Sequence, residues 1–467
     1  MDAPTQAIVK YVASLNYHSL TEAQRESTVR HILDAMSCAL GGFPSGPATV
    51  ARKVAATATS SNGSSVIGLR EKTTPEYATF ANTVMVRYLD YNDNGPAGHA
   101  SDMIAAAIAV GESVGASGQD VILAVFAMYE VVAAIQRSGA SIIDLRLKGI
   151  DQIWANVGAA IGAGMILGLS SEQLANAISL SVVPAVPLRV TRTGVMSNWK
   201  GCATAHGTMN GVFAAHLAAA GMSGPDEPFD GVDGFRSLAG IGPGALEDIG
   251  RPVDGLSAIE GTAYKYYPTE YNSQGPLSKV FQIAKNVDIE DIDQINVAIH
   301  HLGWHEIGGG QGDITDKWDP TTRETADHSL PYLIAVGLTD GAITVDSFSP
   351  ERVSDPSLRP FMQKISVTHD PELTQSVKEQ GGYEISDWPS IVTFRLKDGT
   401  EITERSSWPK GNFHNPMSDD ELVEKFRTMS DRIMEHDQAE EFIGTLWRLD
   451  ELDDINELTA LFRGVGR

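Results

Sequence analysis

Apolar residues in the first 260 positions recur every three to four residues, the period of helices with one buried face. Segments such as 118–137 are rich in alanine and have almost no β-branched alternation. Thr21 and Gln24 have the spacing of a capping box at a helix start. The pattern therefore predicts a mainly α protein, with a large all-helical domain whose first part is residues 1–260.

The pattern changes after residue 260, where the period-two alternation typical of strands appears. Residues 291–302 alternate as one strand, and two further runs flank Asp398–Gly399, a preferred two-residue hairpin turn. Helical segments lie between these strands, so we predict a smaller α+β lid domain over residues 261–412. Residues 413–467 are again helical, and we expect this tail to return to the helical domain.

One long uncharged run, residues 152–171, is nearly as long as a membrane span. It is only weakly hydrophobic, because it is rich in alanine and contains Gly158, Gly162 and Gly164. We therefore expect a buried helix that neighbouring helices approach closely, and no membrane partner. The N-terminus shows no secretory signal, which favours a cytoplasmic location.

The net charge of −25 argues against nucleic acid and anionic membranes as partners. A local cationic pocket could still bind a small anionic substrate. Cys38 and Cys202 stand among small or apolar residues, which predicts buried and inert thiols. Two cysteines are too few for an iron–sulfur cluster or an all-thiolate zinc site, so an iron–sulfur dehydratase is excluded.

The first candidate site is the stretch RYLDYNDNGPAGHASDM, residues 87–103. Asp90 ends an apolar run, and His99 follows a loop loosened by glycine and proline. A carboxylate beside an imidazole can orient the ring for proton transfer. The alternative is that Asp90 is a turn residue and His99 a surface side chain.

Three more stretches carry isolated charges. Lys200 precedes a small-residue helix start, a suitable place for a substrate carboxylate, or else it is a lysine that reaches from a helix end into solvent. Lys265 stands between tyrosines at the domain junction, either in the site or in an aromatic surface strand. Arg323, Asp327 and His328 share one helix face, either in the site or as a salt-bridge cluster.

Two further motifs are weaker indications of a functional site. His301 and His305 have the i,i+4 spacing of a metal-binding helix, but the glycines that follow make that helix doubtful, so we predict no metal site. The glycine-rich run 308–313 lacks the Gly-Lys-Ser/Thr ending of a phosphate-binding loop, and no nucleotide cofactor is expected.

These stretches, taken together and in order, resemble the MmgE/PrpD family over essentially the whole chain. The segments that carry the resemblance are LDYND with the later GHASD, RTGVMSNWKG, YKYYP, DPTTRETADHSLPY, VTFRLKDGT and NPMSDDELVEKF. The resemblance implies a helical domain with an α+β lid, a homodimer, and an active site between the domains. It also implies action on small di- or tricarboxylates without a metal or an organic cofactor.

The resemblance places the catalytic residues of the family on Asp90, His99, Lys200 and Lys265. The positions to which we assign substrate binding are Asn94, Gln152, Arg192, Tyr267, Arg323 and His328. Two positions depart from the common pattern: Gln152 replaces a histidine of many relatives, and Ala100 replaces a proline. Asn94 stands where decarboxylase-like members have a threonine.

The expected reaction is the elimination of water from a hydroxylated di- or tricarboxylate, because RTGVMSNWKG and TRETADHSLPY resemble the 2-methylcitrate dehydratase branch. His99, oriented by Asp90, is expected to move the proton, and Lys200 and Lys265 to stabilise the charge that develops. Decarboxylation of the cis-aconitate type and epimerisation of the iminodisuccinate type are alternatives on the same scaffold. A binding or scaffold protein without turnover is the non-enzymatic alternative.

Overall fold

The computed structural model describes residues 1–138, 145, 149–150, 154–184, 186–192, 196–242, 246, 248–380, 382 and 387–466.

The helical domain forms as its apolar periodicity predicts. Thr21 caps the second helix, and Gln24 returns the hydrogen bond, so the predicted capping box is confirmed. The described α-helices of this part are Ala3–Ser14, Glu22–Gly42, Gly46–Ala55, Pro75–Tyr88, Ile104–Val114, Gly118–Arg137, Trp154–Ile166, Ser171–Val182, Ala203–Ala219 and Phe235–Leu238.

This part of the chain is not entirely helical, however. A short strand, β1 (Thr59–Ser64), interrupts the helices and forms isolated antiparallel bridges with Thr73. Its sequence, TSSNGS, is polar and rich in turn-forming residues, so it has no apolar alternation from which a strand could be predicted.

The lid contains a four-stranded mixed sheet in the order β3-β2-β4-β5, and its predicted α+β character is confirmed. The strands are β2 (Ile292–Ile299), β3 (Ile365–His369), β4 (Ser390–Leu396) and β5 (Glu401–Ser406). Strand β2 pairs with β3 in parallel and with β4 antiparallel. The α-helices of the lid are Gln274–Ala284, His301–Ile307, Ile314–Trp318, Arg323–Ala326, Leu330–Asp340, Pro350–Val353, Arg359–Met362 and Pro371–Glu379.

The β4–β5 hairpin has the predicted pairing but a different turn. A primed two-residue turn needs a positive φ at both central residues, whereas only Gly399 has one, at +88°. The Gly399 N–H donates to the Leu396 carbonyl, and the Leu396 N–H donates to the Thr400 carbonyl. The connection is therefore a three-residue loop, in which glycine takes the left-handed position after an ordinary turn.

The tail helices Asp419–Ser430, His436–Trp447 and Asn456–Thr459 pack on the first part of the chain. Tail side chains such as Phe426 and Phe442 join the core formed by the helices before residue 260, while the lid sheet and its helices have a core of their own. The tail thus forms part of the helical body.

Helix Trp154–Ile166 is buried and closely packed, as its glycines predict. A Cβ at Gly158 would lie 2.0 Å from the Met103 sulfur, and one at Gly162 would lie 2.6 Å from the Met128 sulfur. Among the described helices, Gly118–Arg137 is instead the one that is long and apolar enough to cross a bilayer. Of its most apolar 18 residues, 83% are buried inside the protein. This helix therefore serves as a core element.

Candidate active site

Asp90 lies just after helix Pro75–Tyr88, at the start of the loop that leads to helix Ile104–Val114. Its φ of +50° is in the left-handed region that non-glycine residues rarely adopt. The side chain is buried, and the Arg87 guanidinium donates to Oδ1 over 2.7 Å. Strained backbone of this kind persists where surrounding contacts determine it, as at a functional site.

Lys265, on the segment that enters the lid, is completely buried against Asp90. Its Nζ donates to Oδ1 of Asp90 over 2.6 Å and to the Asp90 carbonyl over 2.7 Å. Burial alone would raise the pKa of Asp90, but Arg87, Lys265 and Lys200 hold it well below its usual value. Asp90 is therefore a permanent carboxylate, and Lys265 retains one N–H donor for another acceptor.

Lys200 reaches the same cluster from the far side. Its Nζ lies 3.0 Å from Asp327 Oδ1, 3.1 Å from His328 Nδ1 and 3.6 Å from Asp90 Oδ2. The structure thus brings together Asp90, Lys200, Lys265 and His328, which are far apart in the sequence.

Asp90, Asp327 and His328 also offer ligand atoms that lie within 4.8 Å of one another, as in a metal site. The Lys200 ammonium contacts all three of these residues. A buried cation from the chain itself thus occupies the place that a metal ion would take. Burial, together with Lys200, lowers the pKa of His328 to about 4, so its ring is neutral at physiological pH.

His99 is half-buried beside this cluster. Its Nδ1 lies 2.6 Å from the main-chain carbonyl of Asp93. A carbonyl only accepts hydrogen bonds, so Nδ1 carries the proton, and Nε2 has a lone pair with no partner among the described residues. Burial, aided by the positive charges of Arg87 and Lys265, lowers the pKa of His99 well below its usual value. The ring is therefore a neutral base.

The expectation that Asp90 orients His99 is wrong in its detail, because Asp93 does so. The Asp93 carboxylate accepts hydrogen bonds from the Tyr129 hydroxyl and from both the hydroxyl and the N–H of Ser101. These bonds fix the Asp93 peptide, whose carbonyl then holds the imidazole. The Asp90 carboxylate instead faces Arg87, Lys265 and Lys200.

Two residues that the sequence analysis did not select also belong to the site. Arg87 supplies a third cation to Asp90, but in the sequence it reads as an ordinary helix residue. Glu270 lies five residues after Lys265, and Asn272 donates to both of its carboxylate oxygens. Burial raises the pKa of Glu270 to about 7. The positive charge of Lys265 acts to lower this pKa, and the negative charge of Asp90 opposes that effect. The sequence signal that could have identified Glu270 is its position in the same short stretch as Lys265, AYKYYPTEY.

Arg323 connects the lid to the helical body. Its guanidinium donates to the carbonyls of Tyr88 and Leu89 and pairs with Asp327 at 3.1 Å. It therefore holds the backbone immediately before Asp90, and a direct contact with substrate stays a prediction.

The other assigned binding residues have varied surroundings. Asn94 forms a main-chain bridge with Ala263 and so joins the His99 loop to the Lys265 segment. The ring of Tyr267 stacks on Phe281 in the lid core. Gln152 and the side chain of Arg192 lie outside the described residues. Substrate binding by these four residues stays a prediction.

The i,i+4 histidine pair also differs from expectation. Helix His301–Ile307 forms despite the following glycines, and the rings of His301 and His305 stack with their centroids 5.7 Å apart.

The predicted burial of both cysteines is confirmed, and burial raises the pKa of Cys202 to about 11.

Known proteins are similar to this chain in sequence. The MmgE/PrpD N-terminal domain matches residues 6–244, and the MmgE/PrpD C-terminal domain matches residues 267–451. Cis-aconitate decarboxylase of Homo sapiens is 26% identical, over 98% of this chain and 94% of its own. The 2-methylcitrate dehydratase of Cupriavidus necator is 25% identical, over 91% of this chain and 90% of its own. That of Escherichia coli (strain K12) is 24% identical, over 85% of this chain and 83% of its own.

The two groups of relatives are thus almost equally similar overall, so the resemblance of two motifs to the dehydratase branch does not extend to the whole sequence. Both domain matches contribute to the charged cluster: Asp90, His99 and Lys200 come from the first, and Asp327 and His328 from the second. With both domains present and in order, this chain belongs to the MmgE/PrpD family.

Proposed function

We propose that this protein is a cofactor-independent hydro-lyase that removes water from a small hydroxylated di- or tricarboxylate, in the manner of 2-methylcitrate dehydratase. The observation that carries the proposal is a neutral imidazole, His99, close enough to the buried Lys265–Asp90 ion pair for the charge of Lys265 to lower its pKa. Its homodimeric state, its cytoplasmic location, and the absence of metal, nucleic-acid and membrane partners stay predictions.

The reaction needs a base, a cation and an acid. His99 Nε2 takes the proton from the carbon next to a substrate carboxylate, and negative charge then develops on that carboxylate. Lys265 and Lys200 stabilise this charge in a site where water is scarce. Glu270, protonated, gives its proton to the departing hydroxide. A C–H and a C–O bond break, a C=C bond forms, and one water leaves.

Decarboxylation is the second candidate. Its support is the 26% identity to cis-aconitate decarboxylases of Homo sapiens and Mus musculus over 98% of the chain. The same cations would stabilise the carbanion left when carbon dioxide departs, and a protonated side chain would then deliver a proton to carbon. The two reactions differ in what leaves the substrate, while the charge that must be stabilised is similar.

A substrate panel separates these reactions. The purified protein is incubated with 2-methylcitrate, cis-aconitate, iminodisuccinate and malate in heavy water, and products are followed by proton NMR. We expect a hydroxy acid to lose water, which is seen as a new vinylic signal or, where the new double bond carries no hydrogen, as a new signal of a methyl group on that double bond. Release of carbon dioxide from cis-aconitate would favour the second candidate, and inversion of iminodisuccinate would favour an epimerase. Failure to turn over any of these acids would contradict both candidates.

The protonation of Glu270 gives the reaction an alkaline limit. Because its pKa is about 7, the acid form is lost as the pH rises through that value, and kcat should fall above it. Glu270→Gln can still accept one of the two hydrogen bonds from Asn272 but has no acidic proton, so kcat should decrease by about 10²–10⁴-fold. The variant should still exchange the substrate proton with heavy water, since His99 is unchanged.

Glu130→Gln is the matched control, because burial also raises the pKa of Glu130 to about 7. Its carboxylate accepts the Ala258 N–H, and none of its contacts lies in the charged cluster. If kcat of Glu270→Gln still falls above pH 7, Glu270 is not the acid. The same conclusion follows if this fall disappears in Glu130→Gln.

A further inference from the structure

Lys425 is a buried lysine of the tail helix Asp419–Ser430, and the reaction proposed above does not use it. Its side chain is 2% exposed. The Nζ donates to Asp34 Oδ1 over 2.6 Å, to the Tyr91 carbonyl over 2.9 Å and to the Lys265 carbonyl over 3.2 Å. An ammonium has three N–H donors, so these three acceptors use all of them.

Two of the three acceptors belong to the backbone of the candidate active site. Tyr91 directly follows Asp90, and the third bond ends on the main chain of Lys265 itself. The Lys425 ammonium also lies 3.6 Å from the centroid of the Tyr91 ring. The tail helix therefore contacts the main chain of both catalytic segments.

These contacts explain how the unusual backbone at Asp90 is held. Lys265 binds the Asp90 carbonyl, and Lys425 binds the carbonyl of the next residue, Tyr91. Two buried ammonium groups thus bind consecutive carbonyls at the residue whose φ is +50°. A non-glycine residue in the left-handed region is held in one conformation by surrounding contacts of this kind.

We propose that Lys425 is a positioning residue, which fixes the peptides of Asp90–Tyr91 and Lys265 so that the carboxylate and the ammonium meet in one geometry. It does not touch the substrate. The inference goes beyond the proposed function in giving the tail a catalytic purpose, and it rests on that function only for its activity measurement.

Asp34 has a separate task, which is to compensate the charge of Lys425. Burial alone would lower the pKa of Lys425, but the Asp34 carboxylate raises it above its usual value, so the amine stays protonated. Asp34 is itself 1% exposed and makes no described contact with Asp90 or Lys265. Charge compensation and backbone positioning can therefore be separated by mutation.

Three variants of the full-length protein separate the two roles. Lys425→Met removes the ammonium and leaves Asp34 as an unpaired buried charge, which is expected to destabilise the fold. The double variant Asp34→Asn/Lys425→Met removes both charges and keeps similar volumes. Lys72→Met/Glu112→Gln is the control, because it removes another ion pair, 2.9 Å long, in which Glu112 is buried and which does not contact the site.

We expect the double variant to recover most of the melting temperature lost in Lys425→Met but not its activity. Displacing the two catalytic segments by about 1 Å should reduce kcat by about 100-fold. Hydrogen exchange measured by mass spectrometry should become faster in peptides that contain Asp90 and Lys265, and remain unchanged in helix Gly118–Arg137. The control variant should keep both its kcat and its exchange pattern at these peptides.

The proposal is overturned if the double variant has the kcat of the unmodified protein, or if exchange around Asp90 and Lys265 is unchanged. The residue would then only balance the charge of Asp34. If the unmodified protein turns over none of the tested acids, the proposed function fails, whereas the hydrogen-exchange comparison still decides whether Lys425 fixes these peptides.

Discussion

Replacing Asp90 by alanine is expected to cause the largest loss of stability of any single substitution in the site. It leaves Lys265 buried without its carboxylate, while Arg87 keeps Asp102 at 3.6 Å, and breaking a buried ion pair in this way costs about 3–5 kcal/mol of unfolding free energy. Alanine is also disfavoured at a φ of +50°, which adds about 1–2 kcal/mol. Turnover should be lost. Urea denaturation followed by circular dichroism measures the change.

Asp90→Asn is the matched control for this substitution. Asparagine tolerates the left-handed region and keeps an oxygen to accept from Arg87 and Lys265, while it removes the negative charge. It should therefore be more stable than Asp90→Ala but equally inactive. An Asp90→Ala variant as stable as the unmodified protein would contradict the view that Asp90 holds the buried cations together.

The largest loss of activity without loss of the fold is expected for His99→Asn. The asparagine amide nitrogen takes the position of Nδ1 and can still donate to the Asp93 carbonyl. The variant has no counterpart of Nε2, so proton abstraction should slow by about 10²–10⁴-fold. Turnover and exchange of the substrate proton with heavy water should fall together, and the melting temperature should stay nearly unchanged.

The pH dependence of the unmodified protein provides a second test of His99. Because its pKa is well below 6.5, the ring remains neutral as the pH falls through 6.5, and activity should persist there. It should decline only when the pH reaches the lowered pKa, where the imidazole becomes protonated. An acidic limit near 6.5, or undiminished proton exchange in His99→Asn, would show that another group is the base.

Some of these features could be predicted from sequence because they have local signals. Helical periodicity and capping residues predicted the helical body, and strand alternation predicted the lid sheet. A charge isolated in a long uncharged segment is unusual, and this singled out Lys200. Asp90 was found because it interrupts an apolar run just before a breakable loop.

The remaining features depend on contacts between distant parts of the chain, which one sequence does not reveal. Lys425 reads as a surface residue of an acidic amphipathic helix, and only folding places its amine beside Tyr91, 334 positions away. His99 is held by a main-chain carbonyl, a group that every residue has, so nothing in the sequence favoured Asp93 over Asp90. Arg87 was hidden because its helix contains other polar residues that point into the core.

The place of Lys425 in the chain has a consequence for biosynthesis. Translation proceeds from the N-terminus, so Asp90, His99, Lys200 and Lys265 are all made long before residue 425 of 467. A nascent chain that already contains every reacting group still lacks the amine that binds the Tyr91 and Lys265 carbonyls. A premature stop codon shortly before codon 425 would accordingly yield a polypeptide with all its reacting groups but without the support behind them.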